Sequence, residues 1–226
     1  QGDQNSPLSP TNTRVVRQTT FGSAAVTPPQ VGSSVLFLQR ANRKLREYVY
    51  QFETDAYTAP DLAILSEHIT ESGVVDMAYQ QEPDSVVWMV RSDGVLLGMT
   101  YERAQDVVGW HRHIVGGADA KVESVSVIPN TTGSRDDLWA VVQRTINGQS
   151  VRYIEFLTPG MPEVSVNTRA ATYLDSMLTY EGGAVSAVFG LSHLEGQTVS
   201  VLANGAAHPD RVVSGGSITL NGSYAI

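Results

Sequence analysis

Two histidines at alternate positions are the first residues whose types and spacing could do chemistry. His111 and His113 flank Arg112 in a predicted strand, so both imidazole rings point to one face of a sheet. Imidazoles paired in this way can bind zinc or nickel. The sequence indicates no third ligand nearby, and the intervening Arg112 disfavours a cation site. We therefore expect both histidines to be structural.

A second pair of metal-ligand types lies on a predicted helix. His68 and Glu71 are three residues apart, which places them on one helix face. A metal site would need further ligands from another element, and the sequence indicates none. We expect a solvated helix face here.

Acidic residues recur in pairs before two tryptophans, and paired carboxylates near aromatic rings are typical of glycosidases. Because the acids recur at the same place before an opening strand, turn formation is the favoured interpretation, and catalysis is the alternative. The pairs are Glu82 and Asp84 before Trp88, and Asp136 and Asp137 before Trp139.

Other catalytic signatures are missing from the sequence. There is no cysteine, no G-x-S-x-G elbow and no Walker-type phosphate loop. Three Gly-Gly pairs follow strands and do not open helices, so we expect them to form turns and not phosphate-binding loops. Separately, Asn130-Thr131-Thr132 matches a glycosylation sequon, which would matter only after secretion. We assign no catalytic, cofactor-binding or metal-binding residue, no cofactor and no enzymatic activity. The pairs are Gly116-Gly117, Gly182-Gly183 and Gly215-Gly216.

Length and charge limit the function classes. The 226 residues allow one large domain or two small ones. The net charge of −8 disfavours a dedicated nucleic-acid binder, which would carry a basic surface. No apolar run approaches the ~18 residues of a membrane span. Residues 1–13 are polar and Pro-rich, unlike a signal peptide. At the other end, residues 217–226 have the pattern of a strand without a following turn, which predicts that the natural chain continues.

The elements that must position these residues are mainly strands. Asp93-Gly94 and Asn147-Gly148 each separate two alternating runs and predict tight hairpins. In Leu45–Phe52, odd-numbered residues from Leu45 to Gln51 share one face and even-numbered residues the other. The predicted strands are 34–39, 45–52, 86–90, 95–101, 107–114, 122–128, 138–146 and 151–157.

One helix is predicted, and it interrupts the strands. Pro60 and Asp61 suit a first turn, and Leu62, Leu65 and Ile69 recur at helical spacing. Gly73 lies where a glycine would end the helix. We therefore expect an amphipathic helix over 61–72, inserted at the side of a β domain.

An aromatic residue recurs every 51 residues, at Phe37, Trp88 and Trp139. Each centres a strand that is followed by a turn and a second strand. A strand-rich unit of about 50 residues has the period of a propeller blade. We predict β-propeller-like blades whose repeated aromatic residues fill the core between them; the alternative is a β-sandwich with a coincidental spacing.

The pattern changes after Pro159, where a linker-like stretch precedes short strands with tight turns. Predicted strands 184–190, 198–203, 211–214 and 217–220 are typical of a small β-barrel or sandwich. We place a boundary near 160–175. Residues 1–165 are then a partial propeller-like β domain with one inserted short helix, and 166–226 a small all-β domain.

Several stretches carry a resemblance to a known family. AYQQEPDSVVWMVRSDG (78–94) is the most specific, and 59–157 as a whole, SPTNTRVVRQTTFGS (9–23), VGSSVLFLQR (31–40) and HLEGQTVSVLANGAAHPD (193–210) support it. They resemble structural tail proteins of short-tailed bacteriophages and their prophages, of the tail tubular or nozzle type. Most of the chain takes part in the resemblance.

The resemblance implies a structural virion component of a phage tail, assembled in the host cytoplasm. It implies a β-propeller-like body, and copies that form a ring or nozzle around the channel that DNA crosses during ejection. Implied partners are further copies, other tail proteins (adaptor, fibre or spike) and DNA only in passage. Family members are several hundred residues long, so 226 residues would be an interior piece. The alternatives are a carbohydrate-binding or glycan-degrading tail module and an unrelated β-rich adhesin fragment.

Overall fold

The computed structural model describes residues 5–7, 9–13, 15–117, 119–158 and 174–224. The fold is mainly β, with 50% of residues in strands and 4% helical, arranged as several small antiparallel sheets. Over these ranges the sheets do not close into a barrel or a propeller. No helix in the described part of the chain is long and apolar enough to cross a membrane.

The first sheet is a four-stranded antiparallel meander in chain order. Leu36 pairs with Glu47, and Tyr50 pairs with Tyr57. A 3₁₀ turn over Phe52–Thr54, followed by Asp55 at a positive φ of 47°, joins its last two strands. The strands are β1 (Gln30–Val31), β2 (Ser34–Leu38), β3 (Leu45–Gln51) and β4 (Ala56–Thr58).

The second sheet repeats this plan. Trp88 pairs with Gly98, and Gly98 pairs with His111. A 3₁₀ turn over Arg103–Gln105, followed by Asp106 at a positive φ of 55°, again joins its last two strands. The strands are β5 (Val74–Gln80), β6 (Val86–Arg91), β7 (Leu96–Glu102) and β8 (Val107–His113).

The third sheet has three strands among the described residues, in the order β11-β10-β9. Asn147 and Gly148 both have positive φ, as the tight turn of the predicted hairpin requires. Trp139 pairs with Phe156 across β10 and β11. The strands are β9 (Lys121–Pro129), β10 (Asp136–Ile146) and β11 (Gln149–Phe156).

The second sheet lies between the other two, with a separate hydrophobic core on each face. Alternate side chains divide between the faces because successive residues of a strand point in opposite directions. The first core joins sheets one and two through Leu36, Leu38, Leu45, Val87, Met89, Leu97, Met99 and Tyr101, with Met77 and Ile69. The second core joins sheets two and three through Val86, Trp88, Val90, Leu96, Val122, Val125, Leu138 and Val142.

The C-terminal part has its own core, formed by Leu191, Val213, Ile218 and Leu220. Asn204 and Gly205 form a tight turn between two of its strands, with both residues at positive φ. Its two sheets pair β12 with β15 and β13 with β14. The strands are β12 (Val185–Phe189), β13 (Thr198–Ala203), β14 (Ala206–Val212) and β15 (Ser217–Tyr224).

The predicted helix over 61–72 is wrong. These residues form successive turns, in which Ser66, Ile69 and Gly73 donate backbone hydrogen bonds to the residue three positions earlier. The segment instead extends the edge of β3: Leu62 N donates to Leu45 O at 2.9 Å, and Glu47 N donates to Pro60 O at 3.1 Å. These sheet-like bonds fix the start of the segment in an extended geometry, so tertiary pairing overrides helix propensity.

The alignment of Phe37 with Trp88 at a spacing of 51 residues is wrong by one residue. By strand pairing and by face, the residue equivalent to Trp88 is Leu36, and Phe37 lies on the opposite side of sheet one. A shift of one residue exchanges the two faces of a strand. Trp88 fills the second core as expected, whereas Phe37 and Trp139 belong to neither core between the sheets.

Most other strand predictions are confirmed, including both hairpins and the two faces of β3. The short strands β1 and β4 were not predicted. Strand β5 (Val74–Gln80) was not predicted either. The predicted linker and domain boundary fall mostly on residues 159–173, outside the described residues.

Candidate functional site

The paired histidines lie on the face of sheet two that carries Trp88. His111 Nδ1 is 2.8 Å from His113 Nε2, so one ring donates a hydrogen bond to the other. Both rings pack against the indole of Trp88, with centroids 5.6 and 5.2 Å away. Burial lowers the pKa of both imidazoles, and the neighbouring His111 lowers that of His113 further.

Gly98 explains how the His111 ring fits on this face. A Cβ atom at Gly98 would lie 1.9 Å from His111 Cε1, so the ring occupies the space that a side chain would fill. This packing agrees with a structural role for the histidines. Among the described residues, no group of three or more His, Asp or Glu side chains is placed to hold a metal ion.

His68 and Glu71 are both exposed, but not on a helix. They lie in the turns of 61–72, and because this segment is not a helix, their spacing of three residues does not place them on one face. The structure does not bring them together with other candidate ligands among its described residues.

The two acidic pairs meet at one edge of the stack, where the β5–β6 turn touches the start of β10. Asp136 Oδ2 accepts hydrogen bonds from Gln81 N and Glu82 N, at 2.8 and 3.1 Å. Asp137 Oδ1 is 2.8 Å from Arg135 Nε. Both carboxylates of the second pair therefore stabilise backbone or ionic structure, which favours turn formation over catalysis. Glu82 and Asp84 are exposed.

The Gly215-Gly216 pair forms a small anion-binding turn that the protein fills itself. Both glycines have positive φ, and their amides donate to the Glu195 carboxylate at 3.0 and 2.7 Å. The Gly116 amide likewise donates to a carboxylate, that of Asp175. These contacts favour the interpretation of the pairs as turns. In the sequon, Asn130 Oδ1 accepts from Ser134 N at 3.1 Å and so holds its own turn.

A buried carboxylate connects the first two sheets. Glu47 is almost fully buried on the core face of β3, where Ser34 Oγ donates to Glu47 Oε1 at 2.7 Å. Arg103, from the 3₁₀ turn of sheet two, forms an ion pair with the other oxygen of Glu47. Burial next to Glu47 raises the pKa of the Tyr101 hydroxyl. The paired charge therefore fixes how sheet one sits on sheet two.

A buried arginine connects the third sheet to the C-terminal part. Arg144 makes a bidentate pair with Glu155, at 2.7 and 2.8 Å, and also contacts Asp175 Oδ1 at 3.0 Å and the Gly116 carbonyl. The hydrogen bonds that its guanidinium donates, first to Glu155 and then to Asp175, raise the pKa of Arg144. Close by, Gln197 Nε2 donates to the Thr145 carbonyl at 2.9 Å.

The outer side of sheet one, which we call the tyrosine face, is rich in aromatic rings. Tyr48 and Tyr57 stack in parallel with centroids 4.7 Å apart, and Tyr50 meets Tyr57 edge to face at 5.3 Å. Tyr57 is 40% exposed. By strand pairing the tyrosine face consists of Val35, Phe37, Arg46, Tyr48, Tyr50 and Tyr57, and Phe37 is the buried member of this set.

The outer side of sheet three, which we call the tryptophan face, is also apolar. The rings of Trp139 and Phe156 lie 5.1 Å apart, and Ile154 is 76% exposed. Exposed apolar surface of this kind marks interaction sites when it is contiguous. By strand pairing the apolar residues of the tryptophan face are Ile128, Trp139, Val141, Ile154 and Phe156, and Ser124, Ser126 and Asp137 lie on the same face. The two faces at the ends of the stack are the candidate functional surfaces.

Sequence reasoning found the alternation that builds these faces but did not recognise them as surfaces. It placed Tyr48 and Tyr50 on one side of β3 and assigned Trp139 to a core. The signal that could have identified Glu47 was its position between Leu45 and Val49 on the apolar face of the strand. For Arg144, the signal was that it occupies a position of β10 that the alternating pattern assigns to the buried side of the strand.

Comparison with models of known protein families and with curated proteins finds no match.

Proposed function

We propose that this chain is a structural virion component of a phage tail, in which copies assemble into part of a ring or nozzle around the DNA channel. It works through assembly in the host cytoplasm and catalyses no reaction. Its partners are further copies and other tail proteins, such as an adaptor, fibre or spike, and DNA only passes through.

The observation that carries this proposal is the stack of three sheets with a partly exposed aromatic face at each end. Both inner faces of the stack are covered by a neighbouring sheet, but Tyr57, Ile154 and Phe156 at the ends are exposed. A stack of similar units with open ends is suited to further stacking. We propose that the sheets are propeller-like blades of a domain over 1–165, with 166–226 as a small separate β domain.

Two features of the sequence support the same function. The runs within 78–94 and 193–210 resemble tail tubular and nozzle-type proteins of short-tailed phages. The net charge of −8 suits a conduit, because like charge weakens adhesion of the DNA backbone.

Electron microscopy and sedimentation velocity of the intact, full-length protein over rising concentration test this function. We expect discrete closed rings and a concentration-dependent shift to larger particles. A chain that stays strictly monomeric at high concentration contradicts the proposal.

A carbohydrate-binding or glycan-degrading tail module is the second candidate function. The observation that favours it is the set of aromatic rings on the tyrosine face. A groove of about 350 Å³ runs beside this face, with Arg17, Phe21 and Tyr57 in its lining. Aromatic rings beside polar side chains suit a sugar ring. Binding of host capsule or cell-wall glycan that is lost in Tyr57→Ala supports binding, and hydrolysis that is lost in Glu82→Gln or Asp84→Asn supports degradation.

A further inference from the structure

The pairing of strands shows which faces of the three sheets correspond. Leu36 pairs with Glu47 in sheet one, Trp88 pairs with Gly98 in sheet two, and Trp139 pairs with Phe156 in sheet three. The first residues of these pairs lie 52 and then 51 positions apart. Leu36 faces sheet two and Trp88 faces sheet three, so both point in the same direction along the stack.

The end faces therefore match the two sides of an interface that the chain already contains twice. The tryptophan face of sheet three corresponds to the side of sheet one that covers sheet two. The tyrosine face corresponds to the side of sheet two that sheet one covers, where Val87, Met89, Leu97 and Met99 are fully buried.

We propose that the tyrosine face of one copy packs against the tryptophan face of the next copy, head to tail. The inference rests on the proposed function and specifies its contact. The contact is heterologous, since two different surfaces meet, and such contacts build closed rings when the rotation closes.

The side chains on the two faces fit this role. The tyrosine face offers Tyr48, Tyr50 and Tyr57 with Arg46, whose guanidinium already stacks on the Phe21 ring at 3.5 Å. The tryptophan face offers Trp139 and Phe156. Tyr, Trp and Arg are the residues that dominate the energy of protein interfaces, and aromatic pairs add favourable edge and stacking contacts.

Charge variants of each face test the direction of assembly. Tyr57→Glu blocks the tyrosine face and Ile154→Glu blocks the tryptophan face. Leu65→Glu is the matched control, because Leu65 is 93% exposed in the 61–72 turns and lies on neither face. Circular dichroism and thermal melting establish that each variant is folded, and Tyr50→Glu and Phe156→Glu repeat the test from a second position on each face.

Sedimentation velocity of single variants and of mixtures gives the result. We expect each face variant to be monomeric alone, and a 1:1 mixture of the two to form a particle of twice the monomer mass and nothing larger. That pattern arises because each variant keeps one working face. The control should assemble like the unchanged chain.

Two results overturn the inference while the proposed function stands. If the unchanged chain assembles and both face variants still assemble alone, the contact lies elsewhere. If one face variant dimerises alone and the mixture gains nothing, a single face pairs with itself. An unchanged chain that never associates overturns the inference, whereas the proposed function is tested on the full-length protein.

Discussion

His111 and His113 show at the residue scale how a pair with metal-binding spacing serves a different purpose. Their rings hydrogen bond to each other and pack on Trp88 above a glycine. A neutral pair satisfies this arrangement, because one ring must accept the hydrogen bond. Protonating both rings would place two positive charges together in a half-buried site.

We therefore expect the chain to lose stability as the solution becomes mildly acidic. The pKa of both histidines is lowered in the folded state, so below their ordinary value of about 6.5 the unfolded chain binds more protons. The free energy of unfolding should fall as pH drops through that value, and level off below the folded-state pKa. Urea unfolding between pH 8 and pH 5 measures this.

A variant pair separates this effect from general acid sensitivity. His113→Gln removes one of the titrating rings and should reduce the pH slope of stability. His68→Gln, at an exposed position, should leave the slope unchanged. An equal slope in all three proteins would contradict the assignment to the buried pair.

At the scale of elements, ion pairs have different importance according to their burial. Arg144 and Arg152 lie on the paired strands β10 and β11, and each makes a bidentate pair with a glutamate. The side chain of Arg144 is 5% exposed and links the third sheet to the C-terminal part, whereas that of Arg152 is 61% exposed.

Replacing each arginine by methionine should give unequal effects. Arg144→Met leaves the carboxylates of Glu155 and Asp175 without their buried partner and should cost ~2–4 kcal/mol. Arg152→Met, the matched control on the partner strand, should have a much smaller effect on the free energy of unfolding, because exposed pairs contribute little. Chemical denaturation measures both. Equal costs would show that Arg144 does not hold the two parts together.

The two repeated tryptophans should also differ, since only Trp88 lies between sheets. Trp88→Ala should lower the free energy of unfolding by ~3–5 kcal/mol through the cavity it leaves. Trp139→Ala, on an open face, should cost about 1 kcal/mol. Urea unfolding at low protein concentration compares them. A large cost for Trp139 under those conditions would mean that its face is covered within the monomer.

At the scale of the whole molecule, the stack makes the middle sheet the most protected part. Sheet two is covered on both faces, whereas sheets one and three each leave an apolar face exposed. Local opening is rarest where elements are packed on all sides. The order of protection should therefore follow the order of the sheets.

Native-state hydrogen exchange tests this order. Amides of β6 and β7, the central strands of sheet two, should exchange most slowly, and those of the short strands β1 and β4 fastest. If amides of β10 outlast those of β6, sheet three and not sheet two is the stable centre. Repeating the measurement on assembled particles should add protection to the amides behind the tyrosine and tryptophan faces.

The candidate surfaces show how far the sequence could go. Alternation in Leu45–Phe52 correctly separated Leu45, Glu47 and Val49 from Tyr48 and Tyr50. Nothing local says that the tyrosine side lacks a covering sheet, because that depends on which sheets stack on it. The same holds for Trp139, which has the residue type of the buried Trp88 and follows it at the 51-residue spacing of the repeat.

The sequence by itself determined the strands and their tight turns, since alternation and the turn preference of Asn-Gly and Asp-Gly pairs depend on neighbouring residues. Only the tertiary structure decided the conformation of 61–72, where backbone bonds to β3 replace those of a helix. It also decided the register of the repeat, in which Leu36 and not Phe37 corresponds to Trp88. A shift of one residue hardly changes a sequence pattern but reverses every side chain, so only packing between sheets fixes the face.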